Sequence, residues 1–182
     1  MMRFTDWLFP GKRDEEEQEM KVSPERLALR VSSIRKEKRT IATLNGAFDL
    51  LHAGHVHIIA EAKKQADHLI VLLNSDVSIK TYKCQQRPLM TLEHRLTLIS
   101  ALRAVDDVTW FDQADPRSVL EMIRPDVHVN GSEYGAQCIE APVVEQYGGS
   151  IHIVRLIPDL STTAIIAKIH SFTSDERERS PV

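Results

Sequence analysis

Two histidines separated by two residues, in the run His52-Ala-Gly-His55, have the types and spacing for phosphate chemistry. On the first turn of a helix this spacing puts both rings on one face, beside free backbone N–H groups and the positive end of the helix dipole. Imidazole N–H donors there suit phosphate oxygens, and Gly54 removes a Cβ where an anion would approach. The alternatives are two surface histidines or a zinc pair, but zinc takes three or four ligands, and Cys84 and Cys138 are isolated from the pair.

Four cations follow further along the chain, at Lys80, Lys83, Arg87 and Arg95. Because the net charge is −3, an anionic ligand must be held by a local cluster of positive groups. Lysine supplies a mobile point charge, and arginine can clamp phosphate oxygens with two N–H groups. We therefore expect Lys83 and Arg87 to contact a triphosphate. Alternatively, Lys80 and Lys83 are solvated helix residues and Arg95 pairs with a carboxylate.

Three further stretches carry polar groups suited to a nucleotide. Ser161-Thr-Thr163 opens the last predicted helix, where one hydroxyl serves as the N-cap and the others suit a phosphate. Asn130-Gly-Ser-Glu-Tyr134 follows a predicted strand, and Gly131 permits close backbone approach there. Asp49 precedes the histidine pair, where it can orient a histidine, bind Mg²⁺ or a ribose, or form an Asx turn.

These residues need elements that bring them together, and from residue 40 onward the sequence alternates strand and helix patterns. Predicted strands are Thr40–Leu44, His68–Asn74, Asp107–Phe111, Val127–Asn130 and Ile151–Arg155. Predicted helices are Gly54–Ala66, Leu92–Ala104, Arg117–Ile123, Ala141–Tyr147 and Thr162–Ser171, with a short helix capped by Ser75 or Asp76 also allowed. This alternation predicts an α/β fold, with a five-stranded parallel sheet covered by helices on both faces. Ligands bind such sheets outside the carboxyl ends of the strands.

The chain of 182 residues is expected to hold one main domain at 39–172, preceded by an extension at 1–38 and followed by a tail at 173–182. The extension has an aromatic patch at Phe4–Phe9, an acidic run at Asp14–Glu19 and a helix starting at Ser23-Pro24. The negative charge argues against binding to nucleic acid or anionic membranes, and two unpaired cysteines fit a reducing compartment. Cytoplasmic localisation is the expectation.

The motifs fall in the order and spacing of the cytidylyltransferase-like nucleotidylyltransferases, which the chain resembles over roughly residues 40–170. The resemblance is carried by Asn45-Gly-Ala-Phe-Asp-Leu-Leu-His-Ala-Gly-His-Val56, Asn74-Ser-Asp76, Arg87-Pro88, Arg95 and Ser161-Thr-Thr-Ala-Ile-Ile166. Within that superfamily the chain looks most like bacterial D-glycero-D-manno-heptose 1-phosphate adenylyltransferases, which form ADP-heptose for lipopolysaccharide biosynthesis.

The resemblance implies a Rossmann-like fold and transfer of AMP from ATP to a sugar phosphate, with Mg²⁺ bound through the triphosphate. It implies catalytic roles for His52, His55 and Lys83, and nucleotide contacts from Asn45, Gly46, Phe48, Asp49, Gly54, Arg87, Asn130, Gly131, Ser161, Thr162 and Thr163. Asp76, Lys80 and Arg95 are the candidates for acceptor binding. Because many family members are fused to a sugar kinase and this chain is too short for one, a separate kinase is expected upstream. A homo-oligomer is left open.

This chain departs from the family pattern at three places, one of which is the N-terminal extension, since it lies outside the family core. Cys84 stands where the family usually has glycine, and Asn130-Gly-Ser-Glu-Tyr134 stands where it often has Lys-Gly-Gly-Asp-Tyr. Two other functions therefore stay open. One is a different transferase of the superfamily, acting with CTP on glycerol 3-phosphate or phosphoethanolamine, or with ATP on FMN. The other is a nucleotide-binding regulatory module that lacks turnover.

Overall fold

One parallel sheet forms the centre of the molecule in the computed structural model, which describes residues 19–179. Within that range the sheet has five strands: β1 (Ile41–Gly46), β2 (His68–Asn74), β3 (Asp107–Phe111), β4 (Val127–Gly131) and β5 (Ser150–Val154). The strand order is β3-β2-β1-β4-β5. The predicted α/β fold with a five-stranded parallel sheet is confirmed.

Helices connect the strands and cover both faces of the sheet. They are α1 (Pro24–Lys36), α2 (Ala53–Lys63), α3 (Asp76–Tyr82), α4 (Leu92–Ser100), α5 (Arg117–Ile123), α6 (Ala141–Gln146) and α7 (Thr162–Arg179). None of the helices found between residues 19 and 179 has the length and apolar character needed to cross a membrane.

Two hydrophobic clusters lie on opposite faces of the sheet, because successive strand side chains point to opposite sides. In β2, Leu69, Val71 and Leu73 pack with the α2 and α4 side, whereas Ile70 and Leu72 pack with the α1, α5 and α6 side. All seven residues of β2 are buried. A central strand covered on both faces is therefore apolar throughout rather than alternating, as its sequence predicted.

Helix α1 is part of this core, although the sequence placed it in an extension ending at residue 38. It starts after Ser23 with Pro24 in its first turn, as predicted. Its residues Leu27, Val31 and Ile34 are buried in the cluster that covers one face of the sheet. The Phe4–Phe9 patch and residues 14–18 of the acidic run lie outside the described residues.

The predicted ends of three helices were wrong, and the first of these, α2, ends at Lys63 rather than Ala66. Helix α4 ends at Ser100 rather than Ala104, and α7 continues to Arg179 instead of ending at Ser171. Residues 173–179 therefore extend the last helix, and residue 172 is no boundary within it. The extra turns consist largely of glutamate and arginine, which have high helix propensity.

The strand order has a direct consequence for ligand binding. From β1 the chain builds outward through β2 and β3 on one side, and later places β4 and β5 on the other side. Strand order therefore reverses between β1 and β4, and a crevice opens there at the carboxyl ends of the strands. The loops after β1 and β4 both end at this crevice.

Candidate active site

A cleft at the carboxyl edge of the sheet brings together all of the predicted catalytic and nucleotide-binding residues. Its lining includes His52, His55, Lys83, Asn45, Gly46, Phe48, Asp49, Gly54, Arg87, Asn130, Gly131, Ser161, Thr162 and Thr163. They come from four segments that are far apart in sequence: the loop after β1 with the start of α2, the loop after α3, the loop after β4, and the start of α7.

His52 is the N-cap residue of α2. Its Nδ1 accepts a hydrogen bond from the Gly54 backbone N–H at 3.1 Å. Because Nδ1 accepts, the proton of the neutral ring is on Nε2, which leaves an N–H donor for a ligand. Gly54 is required by close approach, since a Cβ there would lie 3.0 Å from the His52 ring and 3.1 Å from the Leu160 carbonyl oxygen.

His55 stacks on His52, with ring centroids 3.8 Å apart and an interplanar angle of 22°. The Phe48 ring also lies beside His55, with ring centroids 5.3 Å apart and an interplanar angle of 57°. Burial, together with nearby His52 and Lys83, lowers the pKa of His55 from 6.5 to about 4. Both imidazoles are therefore neutral near pH 7, since burial also lowers the pKa of His52. The buried Nδ1 of His55 has no hydrogen-bond partner among the described residues.

The loop between β1 and α2 has an unusual backbone. Phe48 and Leu50 both have positive φ, 48° and 54°, a region that residues other than glycine rarely adopt. Such conformations persist where the surrounding structure over-determines them, and they cluster at functional sites. Gly46 fits this loop because a Cβ there would lie 3.1 Å from the Phe48 ring. The conformation directs the Phe48 ring toward His55 and the Asp49 side chain into the protein.

Asp49 has a buried side chain that holds the loop preceding α4. Its Oδ2 accepts the Leu89 N–H and its Oδ1 accepts the Met90 N–H, both at 2.9 Å. The Nε of Arg87 lies 2.8 Å from Oδ2 and forms an ion pair with the carboxylate. The Asp49 carboxylate is therefore occupied by donors from the protein itself.

Lys83 follows the short helix α3, whose N-cap is Ser75, with a side chain that accepts the Ser78 N–H. The Lys83 side chain lies 5.7 Å from the centre of the Tyr82 ring. Burial and the neighbouring Arg87 cation lower the pKa of Lys83, because both disfavour a further positive charge. Within residues 19–179 no carboxylate forms an ion pair with Lys83, so its charge is available to an anion.

Three hydroxyl groups enter the cleft at the start of α7. The Ser161 Oγ accepts the Ala164 N–H at 3.1 Å, which is a capping interaction. The Thr162 Oγ1 donates to the Asp49 carbonyl oxygen at 2.7 Å, and so links this helix to the loop after β1. Thr163 is exposed in the cleft. The Ser161 hydroxyl therefore caps the helix and the Thr162 hydroxyl makes a tertiary contact. The Thr163 hydroxyl is left for a ligand.

The end of β4 supplies the opposite wall. Asn130 is buried and donates from Nδ2 to Glu140 Oε2 at 3.3 Å. The Glu133 carboxylate lies over Gly131, where a Cβ would be 2.3 Å from Glu133 Oε2. A side chain at position 131 would therefore displace the exposed Glu133 carboxylate from this place.

The predicted acceptor-binding residues are not in the cleft. Arg95 is fully buried, and its guanidinium donates to the carbonyl oxygens of Met90, Ala47 and Asn74 and to Asp76 Oδ1. The structure corrects the expectation for Arg95, because these protein acceptors occupy its guanidinium in the interior. Asp76 is engaged as its partner, and Lys80 is exposed on α3 outside the cleft lining.

Sequence reasoning missed an apolar wall. Leu156, Ile157 and Leu160, in the loop after β5, line the cleft beside the α7 start. No polar pattern marks them, but their position between the last strand and the Ser161 helix start would have been a usable indication. Tyr134, which is exposed and also lines the cleft, was recognised only as part of its loop.

The zinc alternative gains no support from the geometry. No group of three or more His, Cys, Asp or Glu side chains in the described part of the chain is arranged to hold a metal ion. Cys84 is exposed and Cys138 is buried, and neither belongs to such a group. The cleft instead combines neutral imidazoles, a lysine, an arginine and a helix start, which together suit a chain of phosphates.

The chain is similar to curated proteins over most of its length. It is 39% identical over 159 residues to the bifunctional protein HldE of Pseudomonas entomophila (strain L48), which covers 87% of this chain and 34% of that protein. It is 40% identical over 146 residues to the HldE protein of Pseudomonas putida (strain GB-1), covering 80% of this chain and 31% of that protein. The chain thus spans about a third of the length of these relatives.

Solved structures show the same architecture. A lipopolysaccharide core biosynthesis protein from Thermoplasma volcanium GSS1 matches with a TM-score of 0.52 and 29% identity, over 65% of this chain and 97% of that one. A pantoate-beta-alanine ligase from Francisella tularensis, at 15% identity and a TM-score of 0.50, shares the fold over 83% of this chain and 78% of that one. The model of the cytidylyltransferase-like family matches residues 43–177, which contain every residue of the cleft named above. The chain belongs to the cytidylyltransferase-like family and has the fold of a nucleotidyltransferase enzyme.

Proposed function

We propose that the protein transfers AMP from ATP to D-glycero-D-manno-heptose 1-phosphate, giving ADP-heptose and pyrophosphate. The observation that carries the transfer reaction is the convergence of the histidine pair, Lys83, Arg87 and the α7 start on one cleft at the switch point of the sheet. The choice of acceptor is supported by the similarity to the HldE proteins and to a lipopolysaccharide core biosynthesis protein.

The reaction joins two anions and needs little proton transfer. A phosphate oxygen of the sugar phosphate attacks the α-phosphorus of ATP, and the bond from that phosphorus to the β-phosphate bridging oxygen breaks. The nucleophile is already ionised, so positioning and electrostatic stabilisation carry most of the catalysis. Neutral His52 and His55 suit this task, because each neutral imidazole still carries one N–H group that can donate to an α-phosphate oxygen.

The remaining cations and hydroxyls serve the leaving group. Lys83 and Arg87 hold the β- and γ-phosphates, and Thr163 with the free N–H groups at the α7 start caps the triphosphate. Magnesium fits this site through the phosphate oxygens, since the buried carboxylate of the cleft, Asp49, is already occupied by protein donors. When bound, the ion neutralises charge on the leaving pyrophosphate.

The wall formed by the β4 end and the loop after β5 is the proposed place for the nucleoside. Leu156, Ile157 and Leu160 offer apolar contact to a base, and Asn130 and Gly131 offer polar and backbone groups. The acceptor sugar phosphate then enters from the side of Lys83. A kinase reaction must supply that sugar 1-phosphate.

A panel of pyrophosphate-release assays tests the proposal. ATP and CTP are each offered with heptose 1-phosphate, glycerol 3-phosphate, phosphoethanolamine and FMN. Release with ATP and heptose 1-phosphate at rates well above every other pair is the expected result. Pyrophosphate release with CTP instead of ATP would indicate a cytidylyltransferase. ATP binding without pyrophosphate release from any pair would favour a regulatory module.

A further inference from the structure

The Asp49 carboxylate joins two segments that each carry phosphate-binding groups. It is 1% exposed, and its two oxygens accept from the backbone N–H groups of Leu89 and Met90 while also pairing with Arg87. These partners lie about forty residues further along the chain, in the segment 83–90 that also carries Lys83. Asp49 itself lies three residues before His52.

Two other contacts join the same parts of the protein. The Arg95 guanidinium donates to the Ala47 carbonyl oxygen at 2.7 Å and to the Met90 carbonyl oxygen at 3.1 Å, so it ties the loop after β1 to segment 83–90 from the interior. The Thr162 hydroxyl donates to the Asp49 carbonyl oxygen and ties the α7 start to that loop. Asp49 is thus the residue at which the loop after β1, segment 83–90 and the start of α7 meet.

We propose that Asp49 is a positioning residue, which acts through Arg87 and segment 83–90 to set the cations against the histidine pair. This role rests on the proposed transfer reaction. Five N–H donors are available on a guanidinium, so an ion pair through Nε leaves others to meet a phosphate. An arginine held in place by a carboxylate loses less conformational entropy when it binds the triphosphate, and its side chain stays at the cleft between turnovers.

Positioning predicts effects different from those of metal binding. If Asp49 acts through Arg87, removing either side chain loosens the same segment. The losses in kcat/KM of the two single variants then do not add in the double variant. If Asp49 were a magnesium ligand, its loss would raise the magnesium concentration needed for activity, and the loss of Arg87 would add to it.

The test compares Asp49→Asn, Arg87→Ala and the double variant in the full chain. We expect each single variant to lose about 10²-fold in kcat/KM, as for a misplacement near the reacting groups. The double variant should lose no more than the more damaged single variant, with half-saturating magnesium unchanged. The matched control is Asp115→Asn, which removes a carboxylate–arginine pair at the start of α5, away from the cleft, and should keep wild-type activity.

Limited trypsin digestion gives a readout independent of turnover. Cleavage after Lys83 should be faster in Asp49→Asn than in the wild type or the Asp115→Asn control, because the segment has lost its anchor. If Asp49→Asn does not fold, Asp49→Glu replaces it, since the charge is kept while the carboxylate is displaced by one methylene group.

The positioning role would be overturned by any of three results. These are additive losses of kcat/KM in the double variant, a raised magnesium requirement in Asp49→Asn, and cleavage after Lys83 at the wild-type rate in that variant. If the wild-type protein releases no pyrophosphate with any substrate pair, the proposed function fails, and the trypsin comparison still decides whether Asp49 holds the segment.

Discussion

The two edges of the same sheet differ in how completely their polar groups are paired. At the amino edge, buried or half-buried aspartates are paired with cations and backbone donors. Asp107 accepts from His68 and Arg30, and Asp126 accepts from Arg35 and from the Ile41 N–H. At the carboxyl edge, Asp49 and Asp76 are paired in the same way, but other polar groups have no such partners. Within residues 19–179, the buried Asn45 Oδ1 and His55 Nδ1 have no hydrogen-bond partner.

The difference shows which edge is built for stability and which for binding. A buried polar atom without a partner costs free energy, so the carboxyl edge carries a cost that a ligand can relieve. At the amino edge the aspartates are matched within the chain, although the buried Nδ1 of His68 also has no hydrogen-bond partner among the described residues. Mutations at the amino edge should therefore reduce stability, and mutations at the carboxyl edge should reduce activity.

The largest effect is expected at the amino edge, from Asp107→Ala. Asp107 is fully buried, and its loss leaves Arg30 and His68 without their anion. Removing one partner of a buried ion pair typically costs about 3–5 kcal/mol, and the 41% exposure of the Arg30 side chain places this loss near the lower end of that range. Urea unfolding should show that loss, while kcat per folded molecule stays near the wild-type value. A large fall in kcat in folded protein would contradict the division between the edges.

At the carboxyl edge, His55→Ala should lower kcat by about 10²–10³-fold, as for the loss of one preorganised donor. The midpoint of thermal unfolding should change little, because the variant also removes an unpartnered buried nitrogen. Pyrophosphate release measures the first effect and circular dichroism melting the second. His57→Ala is the matched control on the same helix, where the ring contacts the Arg155 carbonyl oxygen instead of the cleft. Equal losses in both variants would remove His55 from the mechanism.

Acid should weaken the fold through histidines that are neutral when folded. Burial lowers the pKa of His55 to about 4 and that of His128 to about 3, from 6.5. The unfolded chain therefore binds more protons below pH 6.5, and stability is full above that pH and falls as the pH drops toward 4. Each histidine contributes a slope of about 1.4 kcal/mol per pH unit in this window. Urea unfolding at pH 7, 6 and 5 measures the slope, which should be smaller in His55→Ala. An identical slope would show that His55 is not held neutral.

The smallest effect is expected for Arg35→Ala at the amino edge. Its ion pair with Asp126 is partly exposed, with 35% and 40% of the two side chains accessible. Exposed pairs typically contribute about 1 kcal/mol or less, and salt screens them. The loss should shrink in 1 M salt, and activity should not change. A loss as large as that of Asp107→Ala would mean that partly exposed pairs at this edge are as important as buried ones.

Much of the fold followed from local sequence patterns. The boundaries of β2, β3 and α5 were predicted correctly, because apolar runs of strand length and a helical apolar spacing are properties of a few adjacent residues. The end of α7 was not, because charged residues with high helix propensity resemble a solvated tail in sequence.

Three basic residues show how far the site could be predicted from the sequence. Lys83 and Arg87 were expected to contact a triphosphate, whereas Arg95 was left open between acceptor binding and a pair with a carboxylate. The structure places Lys83 and Arg87 at the cleft and buries Arg95, which ties the loops together from inside. The sequence could not decide between the two alternatives for Arg95, since the partner that a charged side chain meets depends on residues far away along the chain.

By itself the sequence determined the order of strands and helices, the histidine pair at the start of α2 and the family. Those features depend on spacing within a turn or a strand. Only the tertiary structure decided that α1 completes the core, that Leu156, Ile157 and Leu160 wall the cleft, and that Asp49 anchors Arg87. These depend on burial and on pairing between distant segments, which arise when the two halves of the sheet meet at β1 and β4.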